Sequence, residues 1–521
     1  MAYITATEQM IQKVTLGRIL AESKLIKGIV TRDRGSVEKK EMQEGINYYE
    51  GKHEVLNKDF RVYHIKGKEL VNVNKANNRV VNAFHTDLVD QKKDYILSSS
   101  PTITFKGEET QKKFSELFND KFLDFLEGSC LGASNQGIEW GHVYVNEKGE
   151  FEFTIIPATQ IIPDYDDNYK TKVLSIMRYY YVDAQDEKGN LVQRTKIEIW
   201  NEKEVWFYIE NEKGEFILDG KEPENPRPHW RENFVQGDKV ENSEGKGWGR
   251  VPFFPLMNND KKISDLKRIK TLIDLYDVII SNFGNDIEDR REMVIVIKNY
   301  SGQDNEELVQ MLKESGVIKV SGDGGAESLE LTIPVDAKNT LLKLIEKNIY
   351  RFGRGFNLSD ENFAGEITGI ALSYKYAGLD LKANAMIKNL KKYILELLGF
   401  FAEYNSIDFS PQEVQITFTK SMIVNETEII GNVQSSTGII SKRTQLQRHP
   451  WVDYVDAELE QIEKETEGVV DLNDDGGELG KLPLAIQQLS LSMQRASDVG
   501  DNALANKIKL RIDEILKEIK Q

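Results

Sequence analysis

Leu266, Ile269, Ile273, Tyr276, Ile280, Phe283 and Ile287 recur at alternating steps of three and four residues, and Leu272, Leu275 and Ile279 form a second apolar stripe beside them. That spacing is a heptad-like seam and leaves little choice but a long, one-sidedly buried helix. Ser264 stands where an N-cap is expected. The seam therefore predicts a helix over 264–291, roughly 42 Å long at about 1.5 Å per residue. Between Thr271 and Asp289 the same segment carries Asp274, Asp277, Asp286, Glu288 and Asp289 and no Lys or Arg. A helix of this kind packs along one side and is acidic on another.

A fixed order of elements comes after this helix. Met293–Ile297 reads as a strand, Asn305–Ser315 as a helix, Val317–Val320 as a strand, Gly322–Gly325 as a turn and Ser328–Ile333 as a strand ended by Pro334. Ala337–Phe352 returns to helical period. Residues 353–367, with three glycines among polar residues, read as a mobile loop. A long helical pattern then spans about 368–404, with Gly378 and Gly399 as candidate kinks. Val414–Lys420 alternates as a strand, and 425–467 is mostly helical with a break at His449-Pro450.

Upstream, residues 7–50 and 78–96 read as helices, Thr102–Phe105 as a short strand and 109–127 as a helix. From Gly141 to Asp219 the period changes to two. His142–Val145, Phe151–Ile155, Lys196–Trp200 and Val205–Ile209 read as strands of an antiparallel region. Residues 221–250, rich in Pro, Gly and charge, read as a loop. The stretch 468–481 is a second break, and 482–521 reads as two helices hinged at Val499–Asp501.

Composition narrows function by exclusion. A chain of 521 residues allows about three to five domains or subregions. Its one cysteine, Cys130, rules out an intramolecular disulfide and a Cys-based zinc site, and within Gly128–Ala133 it reads as a small buried residue. With 68 Lys+Arg against 85 Asp+Glu, the net charge is −17. A protein that grips duplex DNA needs a basic face, and an anionic membrane repels an acidic one. Met1–Met10 lacks an apolar signal core, and the most apolar run, Val251–Met257, falls far short of the about 18 residues of a membrane span. The expected setting is the cytosol, or assembly in the cytosol.

Catalytic motifs are weak. The phosphate-cradling G-x-x-x-x-G-K-[ST] pattern is missing from the sequence, and the six histidines show no H-x-x-x-H spacing. Asp164, Asp166 and Asp167 resemble paired metal-holding carboxylates, but they follow Pro163 between strand-like segments, where acidic turns are common. Asp471–Asp475 opens like a calcium loop, yet its twelfth position is Leu482 rather than an acid. The expectation is no enzyme, no cofactor and no resident metal. The alternative that these residues leave is a metal-dependent DNA-processing nuclease using Asp164, Asp166 and Asp167.

Three segments carry a family resemblance: residues 251–291 (VPFFPLMNNDKKISDLKRIKTLIDLYDVIISNFGNDIEDRR), 357–383 (NLSDENFAGEITGIALSYKYAGLDLKA) and 77–105 (NNRVVNAFHTDLVDQKKDYILSSSPTITF). With their order, these resemble the portal, or head–tail connector, proteins of long-tailed double-stranded DNA bacteriophages infecting Gram-positive hosts, over roughly residues 40–460. The resemblance implies an α+β, multi-region portal fold and a ring oligomer of about twelve subunits at one capsid vertex. Residues 1–255 would be the wing, with N-terminal helices and a β-rich region. Residues 256–291 and 335–352 would be a two-helix stem, and 292–334 a small α/β clip. A tunnel loop at 353–367, a long kinked wing helix and strand at 368–435, and a helical crown with C-terminal tail at 436–521 would complete the fold.

The resemblance also implies partners: a terminase ATPase, head-completion or adaptor proteins, scaffolding and major capsid proteins, and double-stranded DNA passing through. Clip docking would fall to Glu306, Glu307, Lys313 and Glu314. Arg351, Arg354, Asn357, Ser359, Asp360, Glu361, Asn362 and Phe363 would provide tunnel-loop contacts with DNA. Asp274, Asp277, Asp286, Glu288 and Asp289 would line the channel, where an acidic wall keeps a duplex sliding instead of bound. The location implied is the virion, at a capsid vertex, with assembly in the host cytoplasm; the structural alternative is another virion component such as an adaptor or tail protein.

Overall fold

The computed structural model describes residues 23–65, 67–73, 75–166, 172–185, 189–236, 239–289, 294–298, 325–329, 334–357, 369–421, 426–452, 454–471, 489, 493 and 506–512. The chain divides into two units, 1–422 and 423–521.

The first unit opens with α1 (Ser23–Arg34), α2 (Val37–Tyr49, capped by the Ser36 hydroxyl) and the hairpin β1 (Val62–Ile65)–β2 (Lys68–Val71). Next come α3 (Phe84–Leu97), β3 (Thr102–Phe105), α4 (Glu108–Phe114) and α5 (Asp120–Gln136). The helix expected over 109–127 is thus two: Asn119, whose side chain accepts from the Phe122 amide, starts α5 afresh.

The β-rich region is larger than the sequence period suggested. It runs β4 (Ile138–Val145), β5 (Phe151–Ile156), β6 (Ile161–Tyr165), β7 (Val173–Gln185), β8 (Leu191–Trp200), β9 (Glu204–Glu210), β10 (Phe216–Leu218) and β11 (Arg227–Pro228). The main sheet has the order β10-β9-β8-β7-β6, antiparallel throughout, with β11 also on β9. Residues 221–250, expected as a loop, instead contain a second hairpin, β12 (Trp230–Gln236) with β13 (Lys239–Lys246). Its charged pairs, such as Glu232 with Lys246, are an exposed ribbon's surface, and Trp230 anchors it against Trp248 and Tyr404. A third sheet, β14 (Phe253–Met257)-β4-β5, closes the region.

Then come α6 (Lys270–Asp289), the paired strands β15 (Val294–Lys298) and β16 (Gly325–Leu329), α7 (Val335–Gly353), α8 (Gly369–Tyr404) and β17 (Val414–Thr417), which pairs with β3. The α6 seam is shorter than expected. Ser264 is buried and is not its cap; a 3₁₀ turn over Leu266–Arg268 and a break at Ile269 precede the helix. A strand at 325–329 takes in Gly325 of the expected turn and the first two residues of the strand expected over 328–333, while 322–324 and 330–333 lie outside the described residues. The helix over 305–315 and strand over 317–320 lie outside the described residues.

The largest core joins α3, α4, α5 and α8 through Leu97, Phe114, Leu126, Leu390, Tyr393 and Leu397, among others. Cys130 lies in it as expected, buried and free, its thiol pushed up to about 11 by burial. A second core holds α1 against the main sheet, and a third joins β4, β5 and β14 to that sheet's edge.

The second unit contains α9 (Glu426–Ser435), α10 (Lys442–Arg448) and α11 (Val455–Asp471). Ser441 caps α10, which ends at His449 ahead of Pro450, as expected. Arg443 pairs with Asp456 at 2.7 Å. Of the expected tail helices only fragments are described, with 506–512 helical. Leu472–Asp475 of the calcium-loop reading lie outside the described residues.

Candidate functional site: the helical pair and its base

α6 and α7 pack through Leu266, Ile269, Ile273, Ile345 and Ile349, joined by Tyr48 and Leu88. Phe84 meets Tyr276 and Tyr350 edge-on, with centroids 4.9 and 6.0 Å away. The apolar seam read from sequence, from Leu266 through Tyr276, is therefore the face that holds the pair together, while Ile287 at its far end is exposed.

A second face of α6 is polar and equally occupied. Asp277, Ser281, Asn285 and Asp289 recur every four residues, and each accepts a backbone amide of the segment before α3. Asp289 takes Ala76 N at 2.7 Å, Asn285 takes Asn78 N at 2.6 Å, Ser281 takes Val80 N at 2.9 Å and Asp277 takes Asn82 N at 3.0 Å. Four helical residues advance about 6 Å, and two extended residues advance about 6.6 Å. The two periods match closely enough for a four-rung ladder. This is why the helix expected over 78–96 begins only at Phe84: alternate amides of 76–82 are bonded sideways to α6.

Asp277 is the most committed rung. It is fully buried, also accepts from the Asn82 side chain at 2.8 Å, and lies 2.6 Å from His53 Nδ1. His53 stacks on Tyr48 with centroids 4.3 Å apart, and the Tyr48 hydroxyl donates to Asp274. Lys270 bridges Glu54 at 2.5 Å and Asp274 at 3.1 Å.

These placements revise the acidic set. Asp277 does not line a channel: it is an interior acceptor. Asp274 is tied to Tyr48 and Lys270. Asp289 caps Ala76. Asp286 and Glu288 are exposed, the first paired with Lys338 of α7 at 2.5 Å and the second accepting from Asn78 at 2.6 Å.

At the far end of α7, Arg351 and Arg354 are exposed, and Arg354 ends the helix in the left-handed conformation at φ 57°. Asn357 donates back to Glu346 at 2.6 Å. Ser359, Asp360, Glu361, Asn362 and Phe363 lie outside the described residues, as do Glu306, Glu307, Lys313 and Glu314.

Sequence reasoning missed a charged hub at the base of the pair. Lys92 of α3 donates to Asp265 at 2.6 Å and to Asn258 at 2.8 Å. Lys382 of α8 lies 3.1 Å from the same carboxylate and donates to the Gly353 carbonyl, at the end of α7, at 2.9 Å. Burial alone would raise the Asp265 carboxyl, but the ammonium groups of Lys382 and Lys92 outweigh it and hold it well below the usual range. Burial, with Lys92 and Arg268 nearby, pushes Lys382 down to about 8 against the pull of Asp265. The hub's members stand far apart in sequence, so spacing offers no signal for it. The α6 ladder did leave one: short acceptors at every fourth position.

The nuclease reading finds no assembled centre. Asp164 lies on β6 rather than in a turn, Asp166 accepts from the Lys172 amide, and Asp167 is outside the described residues. Among the described residues, no group of three His, Cys, Asp or Glu is placed to hold a metal. Likewise, no described helix is long and apolar enough to cross a membrane.

A helix pair joined by a strand-bearing excursion is rooted in a β-rich body and is followed by a long helix. The chain belongs to the phage portal protein family of the SPP1 Gp6-like type, whose model matches residues 31–471. The portal protein of Bacillus phage SPP1 is 36% identical over 448 residues, covering 83% of this chain and 86% of that one. The portal protein of Clostridium phage phiCD119 is 28% identical over 459 residues, covering 84% and 94%. Among solved structures, the neck of a native GTA particle computed with C12 symmetry overlaps 70% of this chain and 88% of that chain, with TM-score 0.34 and 8% identity. Membership carries the family's role, the DNA channel at a capsid vertex, and with it a structural rather than an enzymatic class and a place in the virion.

Proposed function

We propose that this chain acts as one subunit of a closed ring of about twelve copies, built by cyclic symmetry, through which duplex DNA enters and leaves the capsid. In this reading α6 and α7 are the stem, the excursion between them that carries β15 and β16 is the clip, and the loop between α7 and α8 is the tunnel loop. The β-rich body with α8 and α9 is the wing, and α10 and α11 belong to the crown. The clip, with Glu306, Glu307, Lys313 and Glu314, docks the terminase ATPase and later the head-completion proteins. Scaffolding and major capsid proteins meet the ring during assembly. The chain itself hydrolyses nothing; ATP is consumed by the partner.

The observation that carries this reading is the outward face of the helix pair. Leu275 and Ile287 of α6 and Leu341 and Leu344 of α7 are all exposed in the single chain, alongside Asp286 and Glu288. Large apolar side chains on a packed pair call for cover, which neighbouring copies provide, while the carboxylates are left for the lumen. Native mass measurement and negative-stain imaging of the purified chain test it. A ring with a central hole is the expected result, and a monomer under every condition tried would overturn the ring.

A further inference from the structure

Beside the Lys92–Asp265–Lys382 hub lies a cavity of about 80 Å³, enclosed by the elbow before α6, the end of α7 and α8. A water needs roughly 10–15 Å³ of such space, so this one has room for a small tetrahedral ion. Its charge is unbalanced. Lys382, Arg268 and Arg354 line it against a single carboxylate, Asp265, which Lys92 and Lys382 already share. Among the described residues, neither Arg268 nor Arg354 has an acid within ion-pair distance. The Ser264 side chain adds a hydroxyl to the wall. Two guanidinium groups, an ammonium and a hydroxyl around a small polar cavity are what a phosphate-type oxyanion requires, because guanidinium forks match its oxygens. Lys382 is lowered first by its burial and then by the neighbouring cations Lys92 and Arg268, against the pull of Asp265.

We infer that this cavity is a phosphate-binding site, formed by Arg268, Arg354 and Lys382, that fastens the root of the loop after α7 to the elbow before α6. A phosphate held there ties two otherwise exposed arginines, one just before α6 and one just after α7, into the hub. The phosphate chemistry has two sources, free inorganic phosphate and the DNA backbone. The site stands on its own charge and geometry, and only the DNA source rests on the channel reading.

The test uses the full chain and inorganic phosphate, with chloride at equal ionic strength as control. Phosphate should raise the melting temperature beyond chloride, and phosphorus NMR should show line broadening that saturates. R268Q and R354Q alter exposed side chains, so their melting temperatures in chloride should match the parent, while their phosphate affinity should fall at least tenfold. A short DNA duplex added to the phosphate-loaded chain separates the sources. Displacement that weakens in R354Q assigns the site to DNA, and no displacement assigns it to the free ion. Equal stabilisation by phosphate and chloride, or undiminished phosphate binding in R268Q and R354Q, would overturn the site. The ring is scored separately by native mass, so its failure is distinguishable from failure of the site.

Discussion

Asp277 illustrates how one residue's surroundings decide its role. As an acid in a run of acids it reads as part of a charged surface; buried against His53 and Asn82 it is an acceptor that the interior depends on. D277A leaves the Asn82 amide and the His53 ring nitrogen without their partner, and should cost about 2–4 kcal/mol in urea unfolding. S281A, which frees one rung, should cost about 1 kcal/mol. Buried titratable groups set the pH response. Burial holds His85 down to about 4, His142 to about 3 and His229 to about 4, from a usual 6.5. For these the unfolded chain binds more protons between pH 6.5 and about 4, so their contribution is intact above 6.5 and is lost as pH falls through that window. Glu139 has the opposite sign. Burial pushes it up to about 8, so the folded chain holds its proton where the unfolded chain has released it, and stability drains as pH rises from 4.5 through 8. Urea midpoints from pH 4 to 9 should therefore fall on both sides. E139Q should flatten the alkaline limb and steepen the acid limb between pH 4.5 and 6.5, where Glu139 opposes the histidines; an unchanged alkaline limb would show that another group governs it.

At the scale of elements, what the sequence made legible was whatever repeated. The α6 seam, the α7 stripe, the long α8 and the alternation around β4, β5, β8 and β9 all have periods, and all are present. What it concealed was contact between distant segments. Residues 78–82 look helical because Val81, Phe84, Leu88 and Tyr95 share a helical spacing, but the ladder to α6 takes alternate amides first. The β12–β13 hairpin was hidden by Pro, Gly and charge, which an exposed ribbon tolerates. The start of α6 was placed too early because the apolar spacing continues through the Leu266–Arg268 turn without recording the break. The apolar stripe that packs α6 on α7 was readable, and the hub was not, since it depends on Lys92, Asp265 and Lys382 converging. Gly137 shows how strictly such convergence is set. It ends α5 at φ 85°, its carbonyl accepts from the Asn258 amide at 2.9 Å, and a Cβ there would strike the Lys262 carbonyl. G137A should therefore lose more than the roughly 1–2 kcal/mol of the left-handed conformation alone. A stability change within error would mean that the elbow relaxes freely.

For the molecule as a whole, the net charge of −17 governs how DNA can be handled. A basic lining would release counterions, bind the duplex and stall it. Carboxylates repel phosphates, and with a Debye length of about 8 Å at physiological salt they do so mainly near contact. If Asp286 and Glu288 face the lumen, neutralising them should make the ring hold DNA. The double variant D286N/E288Q keeps side-chain shape and an acceptor for Asn78, so the ring should form normally by native mass. Its affinity for a duplex at about 150 mM salt should rise several-fold, and its salt dependence should steepen. In particles assembled with the variant, the yield of packaged genomes should fall. A ring that forms, binds DNA no better and packages normally would move both carboxylates away from the DNA path. Deleting 357–363 completes the comparison, because that change should impair packaging or retention with ring assembly intact. Loss of the ring would instead assign the loop a packing role, and steering the duplex would then fall to the acidic face of α6.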